Sequence, residues 1–365
     1  MSRRSQAEME AICSRFLTHH KENYQSARQH LQDLVDEITD DARPDFYMEG
    51  ELIESFEAEI AELFGKEAAI FMPTGTMTQQ ILLRIIADRT GNFNVAFHPT
   101  CHLPVHENQA YQILHGIRGI SIGNAQRLLT PEDIFNMNER ISTLLLELPQ
   151  RDLGGQLPPW EELVEISEWT KKQKIHLHMD GARVWQCTPF YNKSLVEIAS
   201  LFDTVYVSFY KLLNGLSGAA LCGPKDIIEE ARLWRHRHGG KMFHVYPLIL
   251  SAKLGMKKHL PMIETYVKRT QSVASVLCKI PGITVNPNPP HINMMHLYIE
   301  GEKDALDEAA QRIAEETQVM LFHAVRQTQL PMVQKLELTI GNAAFEIPDE
   351  EIGELFGKLL LYANG

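Results

Sequence analysis

The chain has 365 residues, 44% of them apolar and 22% charged, with a formal net charge of −12. These proportions suit a globular protein of one large domain and a smaller one. The acidic balance argues against nucleic-acid or anionic-membrane partners, because both need a basic face.

No run approaches the length of a membrane span, and the start, MSRRSQAEMEAICSRF, lacks the apolar stretch of a secretory signal. Cys13, Cys101, Cys187, Cys222 and Cys278 are scattered, with no two-residue gap of a zinc or redox motif. A cytoplasmic location follows as the expectation.

Residues up to about Asp41 read as helical and polar, with Leu31, Leu34, Val35 and Ile38 on one face. Thr18, His19 and His20 in FLTHHKENY are weak site candidates, and a solvated helix surface accounts for the histidines. FYMEGELIESFEAEIAELFG reads as an amphipathic helix closing at Gly65. AAIFM is then a buried strand, and PTGT leads into the helical run QQILLRIIADR. Strand, small-residue turn and helix present backbone N–H groups and a positive dipole end to an anion. Gly75 allows close backbone approach there, and Thr76 can add a hydroxyl.

VAFHPTCHLPVHE places His98, His102 and His106 at four-residue spacing, which on a continuous helix could hold a metal. Pro99 and Pro104 interrupt such a helix, so no metal site is expected. STLLLELP is another buried strand, followed by the loop PQRDLGGQLPP with Gln150 in it.

IHLHM and TVYVSF, within IHLHMDGAR and DTVYVSFYK, then read as two buried strands joined by a helical crossover, an arrangement that makes them parallel. Asp180 ends the first and Lys211 the second, so both side chains emerge at the carboxyl edge of one sheet, where open α/β sheets bind ligands. A surface acid and a surface lysine are the plain alternative, but a charge just past a buried strand is costly without a task. One task fits both: a lysine can form a Schiff base with pyridoxal phosphate, and a carboxylate keeps the cofactor's ring nitrogen protonated.

Beyond Lys211, NGLSGAALCG is rich in small residues, and RLWRHRHGGKMFH is the one strongly basic patch, which an exposed helix end would explain. A helical pattern runs from Tyr246 to about Lys279, interrupted at Pro247 and Pro261. Strand-like alternation, the helix EKDALDEAAQRIAEETQ, the strand KLELTIG and the helix PDEEIGELFGKLLLYA complete a smaller α/β domain. The boundaries expected are 45–250 for the large domain, with 1–44 and 251–365 in the small one.

HMDGAR followed by SFYK-x-x-x-G, with FGKEAAIFMPTGTMTQQ upstream, resembles the threonine aldolase branch of the fold-type I pyridoxal-phosphate enzymes. The likeness covers roughly Tyr47 to Gly240. It implies an α/β fold, with a three-layer large domain, a mostly parallel sheet and a small C-terminal α/β domain.

It also implies pyridoxal 5'-phosphate as cofactor, Lys211 as the Schiff-base lysine, Asp180 as the ring-nitrogen partner and Arg183 near the cofactor hydroxyl and substrate carboxylate. Gly75 and Thr76 would cradle the phosphate, and His102 would stack on the pyridine ring. Tyr47 matches a tyrosine near the active site, and a homo-oligomer, tetramer or dimer, is implied.

The sequence departs from the family in three places. Gln150 stands where a histidine lies beside the substrate hydroxyl. Phe243 stands where an arginine follows the methionine, with Lys241, Arg237 or His244 as substitutes for the charge. KLELTIGNAAFEI lacks the arginine that binds the substrate carboxylate. A neutral amide cannot accept a proton as imidazole does, so the base is left between a water held by Gln150 and His102.

The implied reaction is retro-aldol cleavage of a β-hydroxy-α-amino acid, L-threonine or L-allo-threonine, to glycine and an aldehyde. The rival readings are a β-eliminating lyase or aminotransferase-like enzyme on another amino acid, and a non-catalytic binding protein on the same fold.

Overall fold

A computed structural model describes residues 4–39 and 42–365. The chain forms two compact units, one of residues 31–152 and 157–261, the other of residues 1–30, 153–156 and 262–365. Segments 31–44 and 251–261, which the sequence assigns to the smaller domain, cluster with the larger unit.

The larger unit is built on a 7-stranded sheet in the order Ala68–Met72, Ala219–Gly223, Thr204–Ser208, His176–Gly181, Thr143–Glu147, Asn94–Phe97, Arg118–Ser121. Ala219–Gly223 runs antiparallel to both neighbours, and the other strands share one direction. This α/β sheet is therefore mostly parallel. Thr204–Ser208 is buried at every position, as a strand covered on both faces must be. The helix Gly75–Thr90 lies on one face, where Leu83 and Ala87 pack with Val95, Phe97 and Leu145.

The edge strand Ala68–Met72 has its open side closed by side chains. Glu57 Oε1 accepts the Phe71 N–H at 2.8 Å, and Arg235 Nη1 donates to the Phe71 carbonyl at 2.8 Å. The Phe71 backbone groups, which could pair with another chain, are thus occupied. Arg235 belongs to the basic stretch read as an exposed helix end, yet it is buried.

Several elements differ from the sequence expectation. Pro104 sits inside the short helix His102–His106, but within its first turn, where a missing N–H costs nothing. The small-residue run after Lys211 contains the strand Ala219–Gly223. Around Pro261 the long helical pattern divides into the helices Tyr246–His259 and Ile263–Leu277.

The helix Ala27–Glu37 buries Leu34 while Leu31 and Val35 are exposed. Asp40 and Asp41 lie outside the described residues. Among the described residues no helix is long and apolar enough to cross a membrane.

The smaller unit carries a 4-stranded antiparallel sheet, in the order Arg326–Gln327, Val333–Thr339, Met294–Glu300, Ile283–Asn286. Val333–Thr339 alternates between buried and half-buried positions, so only one of its faces joins the core. Thr18 and His20 belong to this unit. Both lie outside any helix and are buried, Thr18 in a bend with its Oγ1 2.8 Å from the Tyr24 hydroxyl and His20 in extended backbone. The helix-surface reading of this stretch is therefore corrected: the segment pairs with the strand end, His19 bridging to Ile340.

Candidate active site

Side chains alternate along a strand, and this places a row of functional groups on the face under the helix Gly75–Thr90. His178 bonds Gln79 of that helix at 2.7 Å through Nε2 and Thr204 at 2.8 Å through Nδ1. Two residues further towards the carboxyl edge come Asp180 and Tyr206, paired in register. Glu147 pairs in turn with Asp180 on the adjoining parallel strand. Glu147, Asp180 and Tyr206 thus lie side by side across three strands.

Asp180 is buried, and its Oδ1 accepts the Ala182 N–H at 3.1 Å. Burial raises its pKa, against the pull of Lys211 and His102. Lys211 does not end the strand as expected. It lies in a bend beyond Ser208, the last strand residue.

That bend is fixed from both ends: Phe209 N donates to the Gly218 carbonyl at 3.1 Å, and Gly215 N to the Phe209 carbonyl at 2.8 Å. The bare α-carbon of Gly255 lets the chain after the lysine approach closely, since a β-carbon there would meet the Leu213 carbonyl oxygen at 1.9 Å. Burial, reinforced by the positive charge of Arg183, lowers the Lys211 pKa to about 8, while Asp180 and Glu147 oppose the shift. The lysine and the acid therefore face one another electrostatically, with Arg183 beside them.

His102 begins its short helix and holds Nδ1 3.1 Å from Glu107 Oε1. Glu107 is itself buried, its Oε2 accepting from Gln80 Nε2 at 3.3 Å. This pair fixes the imidazole's orientation, and its ring remains partly accessible.

Gln150 is buried, and its Nε2 donates to Thr100 Oγ1 at 3.2 Å and to Glu147 Oε2 at 3.3 Å. Gly75 is the first residue of its helix, behind the cap Thr74, and Thr76 in the first turn is exposed. Lys211, Asp180, Arg183, His102, Gln150, Gly75 and Thr76 all belong to the larger unit. Charge interactions tie Lys211, Asp180, Arg183 and His102 together, and Gln150 joins them through Glu147.

His98 is structural. Its Nε2 faces the carbonyls of Asn124 and Arg127 at 3.0 and 2.9 Å, so it must donate, and Nδ1 accepts from Thr100 N at 3.1 Å. Both nitrogens are spent. His106 stands 3.3 Å from Asp152. Lys241 pairs with Glu49 at 2.7 Å, Arg237 lies over Trp234 at 4.8 Å, and His244 Nδ1 bonds the Asp45 carbonyl at 2.5 Å.

Sequence reasoning missed Glu147, Glu107 and Ser208. Glu147 ends a buried strand, so the criterion that singles out Asp180 applies to it equally. Burial, with the neighbouring Asp180 charge, pushes its pKa up to about 7. Ser208 follows Tyr206 on the same face by alternation, and its buried hydroxyl has no hydrogen-bond partner. A hydroxyl orphaned on the sheet face where Tyr206 abuts Gly75, the first residue of its helix, fits a phosphorylated ligand.

The model of the beta-eliminating lyase family matches residues 37–300. The chain belongs to the beta-eliminating lyase family. Low-specificity L-threonine aldolase 1 of Arabidopsis thaliana is 26% identical over 278 residues, covering 73% of this chain and 77% of that protein. The low specificity L-threonine aldolase of Escherichia coli K12 is 31% identical over 204 residues, 54% of this chain and 60% of that one.

A crystal structure from Listeria monocytogenes EGD-E, of a protein proposed to be an L-allo-threonine aldolase, superposes with a TM-score of 0.92. It is 38% identical and covers 97% of this chain and 98% of that one. The threonine aldolase of Leishmania major, with a TM-score of 0.70 and 19% identity, shares the fold. The architecture is that of the fold-type I pyridoxal-phosphate enzymes, and the chain is a lyase of that class.

Proposed function

We propose that this member of the family binds pyridoxal 5'-phosphate and cleaves a β-hydroxy-α-amino acid, L-threonine or L-allo-threonine, to glycine and an aldehyde. The observation that carries the reading is the half-buried Lys211 amine, in the bend after one strand, and its charge interaction with Asp180 on the adjoining parallel strand. A bound pyridoxal ring would supply the electron sink for the bond-breaking step.

The chain's own residues do the rest. The Lys211 Nζ, partly neutral near physiological pH, would be the amine that holds the cofactor's aldehyde carbon. Asp180 would hold a proton on the ring nitrogen, and the imidazole of His102, steadied by Glu107, would cover one ring face and exclude water. Ser208, Thr76 and the helix end at Gly75 would hold the phosphate. Arg183 offers a guanidinium to the substrate carboxylate.

The test is glycine release from threonine diastereomers by purified protein. Pyruvate or ammonia from other amino acids, with no glycine, would replace the aldolase reading by β-elimination, which the missing histidine at Gln150 makes the second choice.

The protein is further proposed to act in the cytoplasm as a homo-oligomer, tetramer or dimer. Its cysteines are free. Phe46, Tyr47 and Phe243 form an exposed cluster of edge-to-face rings, 5.0–5.1 Å between centroids, of the kind found in interfaces.

A further inference from the structure

The aldolase reading leaves the reaction without a base. Cleavage requires a group that takes the β-hydroxyl proton, and Cα of the departing glycine must then gain one. Gln150 cannot serve, since a carboxamide is no base at neutral pH. Its amide nitrogen is moreover committed to Thr100 and Glu147. His102 spends Nδ1 on Glu107.

One hydrogen bond from Gln150 stands a carboxylate, in register with Asp180 and on the same face of the sheet. Its two oxygens are held apart in function. Oε1 accepts the Arg151 N–H at 3.1 Å, and Oε2 meets the Gln150 amide at 3.3 Å. That grip fixes the carboxyl plane, and the residue is only partly covered. We propose that Glu147 is the acid–base residue of the cleavage, taking the proton of the substrate's β-hydroxyl and returning it to Cα.

The step balances without a co-reactant. The O–H bond breaks as its electron pair forms the aldehyde carbonyl, and the proton passes to Glu147. The Cα–Cβ pair stays with Cα, which then takes the same proton back. Glycine and aldehyde together contain every atom of the substrate. One carboxyl is therefore sufficient if it can both gain and lose a proton at the working pH.

The groups facing Glu147 set this. Asp180 on the next strand and burial raise its proton affinity, while Lys211 in the bend, His102 on the short helix and the Arg151 N–H lower it. The Cys101 thiol, kept protonated by burial, adds no charge. The outcome, about 7, is where a general base is both sufficiently ionised and sufficiently basic.

The inference rests on the aldolase reading, and the experiment separates the two. Holoenzyme and the variant Glu147→Gln are assayed for glycine release from L-allo-threonine between pH 5 and 9. Wild type should lose kcat/KM as pH falls through about 7. E147Q should be slower by about 10²–10⁴-fold and lack that limb. Glu147→Asp, which keeps the carboxylate on a shorter stem, should recover part of the rate together with the limb.

Infrared titration of the cofactor-free protein gives a second readout. A carboxyl band titrating near neutrality should be present in wild type and missing from E147Q. An E147Q enzyme that keeps the wild-type limb, or a wild-type protein without the band, overturns the assignment and leaves the aldolase reading standing. Failure of cofactor-loaded wild type to release glycine from any β-hydroxy-amino acid overturns both.

Discussion

Gly75 stands with its α-carbon against the hydroxyl of Tyr206, and a β-carbon at position 75 would fall 2.0 Å from that oxygen. The ring carbon bearing the hydroxyl would lie at 2.7 Å, so a rotated hydroxyl gives no relief. Gly75→Ala must therefore push the helix start away from the strand. A cost of about 1–3 kcal/mol is expected from such overpacking, with a weakened grip on a phosphorylated cofactor. Urea unfolding and cofactor titration measure the two effects. Tyr206→Leu in the same chain should restore stability in part; an unperturbed single variant would show that the contact gives way freely.

The pairing of Glu57 with Arg235 predicts a stability defect remote from the chemistry. Glu57 is buried, receives the Phe71 N–H and Arg232, and lies 3.8 Å from the buried Arg235 guanidinium. Burial lowers the Arg235 pKa while Glu57 raises it, so the acid offsets the cost of the buried cation. Glu57→Ala removes that compensation and frees a backbone N–H on the edge strand. A loss of about 3–5 kcal/mol is expected, and a smaller one for Glu57→Gln, whose amide oxygen can still accept from Phe71. Equilibrium denaturation decides it, and a cost of about 0.5 kcal/mol or less, the range of ordinary surface changes, would contradict the account.

These two cases also show what the sequence makes legible. Strands of β-branched and aromatic residues, and glycine at a turn before a helix, carry local signals, so the sheet strands around Asp180 and the Gly75 turn can be read directly. Arg235 cannot: its helix is polar on average, and only the edge strand brought against it explains why one arginine of a basic run is buried. Ala219–Gly223 is hidden because a strand of small residues lacks β-branched bulk, yet it is an interior strand, paired on both sides and wholly buried.

Glu147 carries the same strand-end signal as Asp180. Only its place beside Asp180 is hidden, because register across parallel strands is a tertiary fact. Leu31 and Val35 mark the opposite failure, since helical periodicity gives a face without saying whether anything covers it.

Asp180→Asn tests the ring-nitrogen assignment. Asparagine keeps the shape and can still accept the Ala182 N–H that Oδ1 receives. It removes the charge that would hold a proton on the ring nitrogen. Cofactor should still bind, with turnover reduced by about 10²-fold or more, the lower bound for losing acid–base control of a reacting centre. The change also removes the negative charge that raises Glu147, so the Glu147 limb should move to lower pH. An unchanged turnover, or an unmoved limb, would separate Asp180 from the chemistry.

Lys211 gives a pH dependence whose sign is fixed by its neighbours. Burial and the Arg183 charge lower its pKa to about 8, so the nucleophilic neutral amine grows as pH rises towards that value and levels off above it. Cofactor-free protein mixed with pyridoxal phosphate should develop its bound chromophore about tenfold faster for each unit of pH below the plateau. Arg183→Gln removes a positive charge that lowers the lysine's pKa, so it raises that pKa and should slow capture at neutral pH while leaving the plateau rate in place. Stopped-flow absorbance follows the reaction directly. Capture that is flat between pH 6 and 8, or unaltered by the arginine change, would mean that the amine attacking the aldehyde is a different lysine; Lys211→Ala, expected to abolish the borohydride-stable attachment, would then leave it intact.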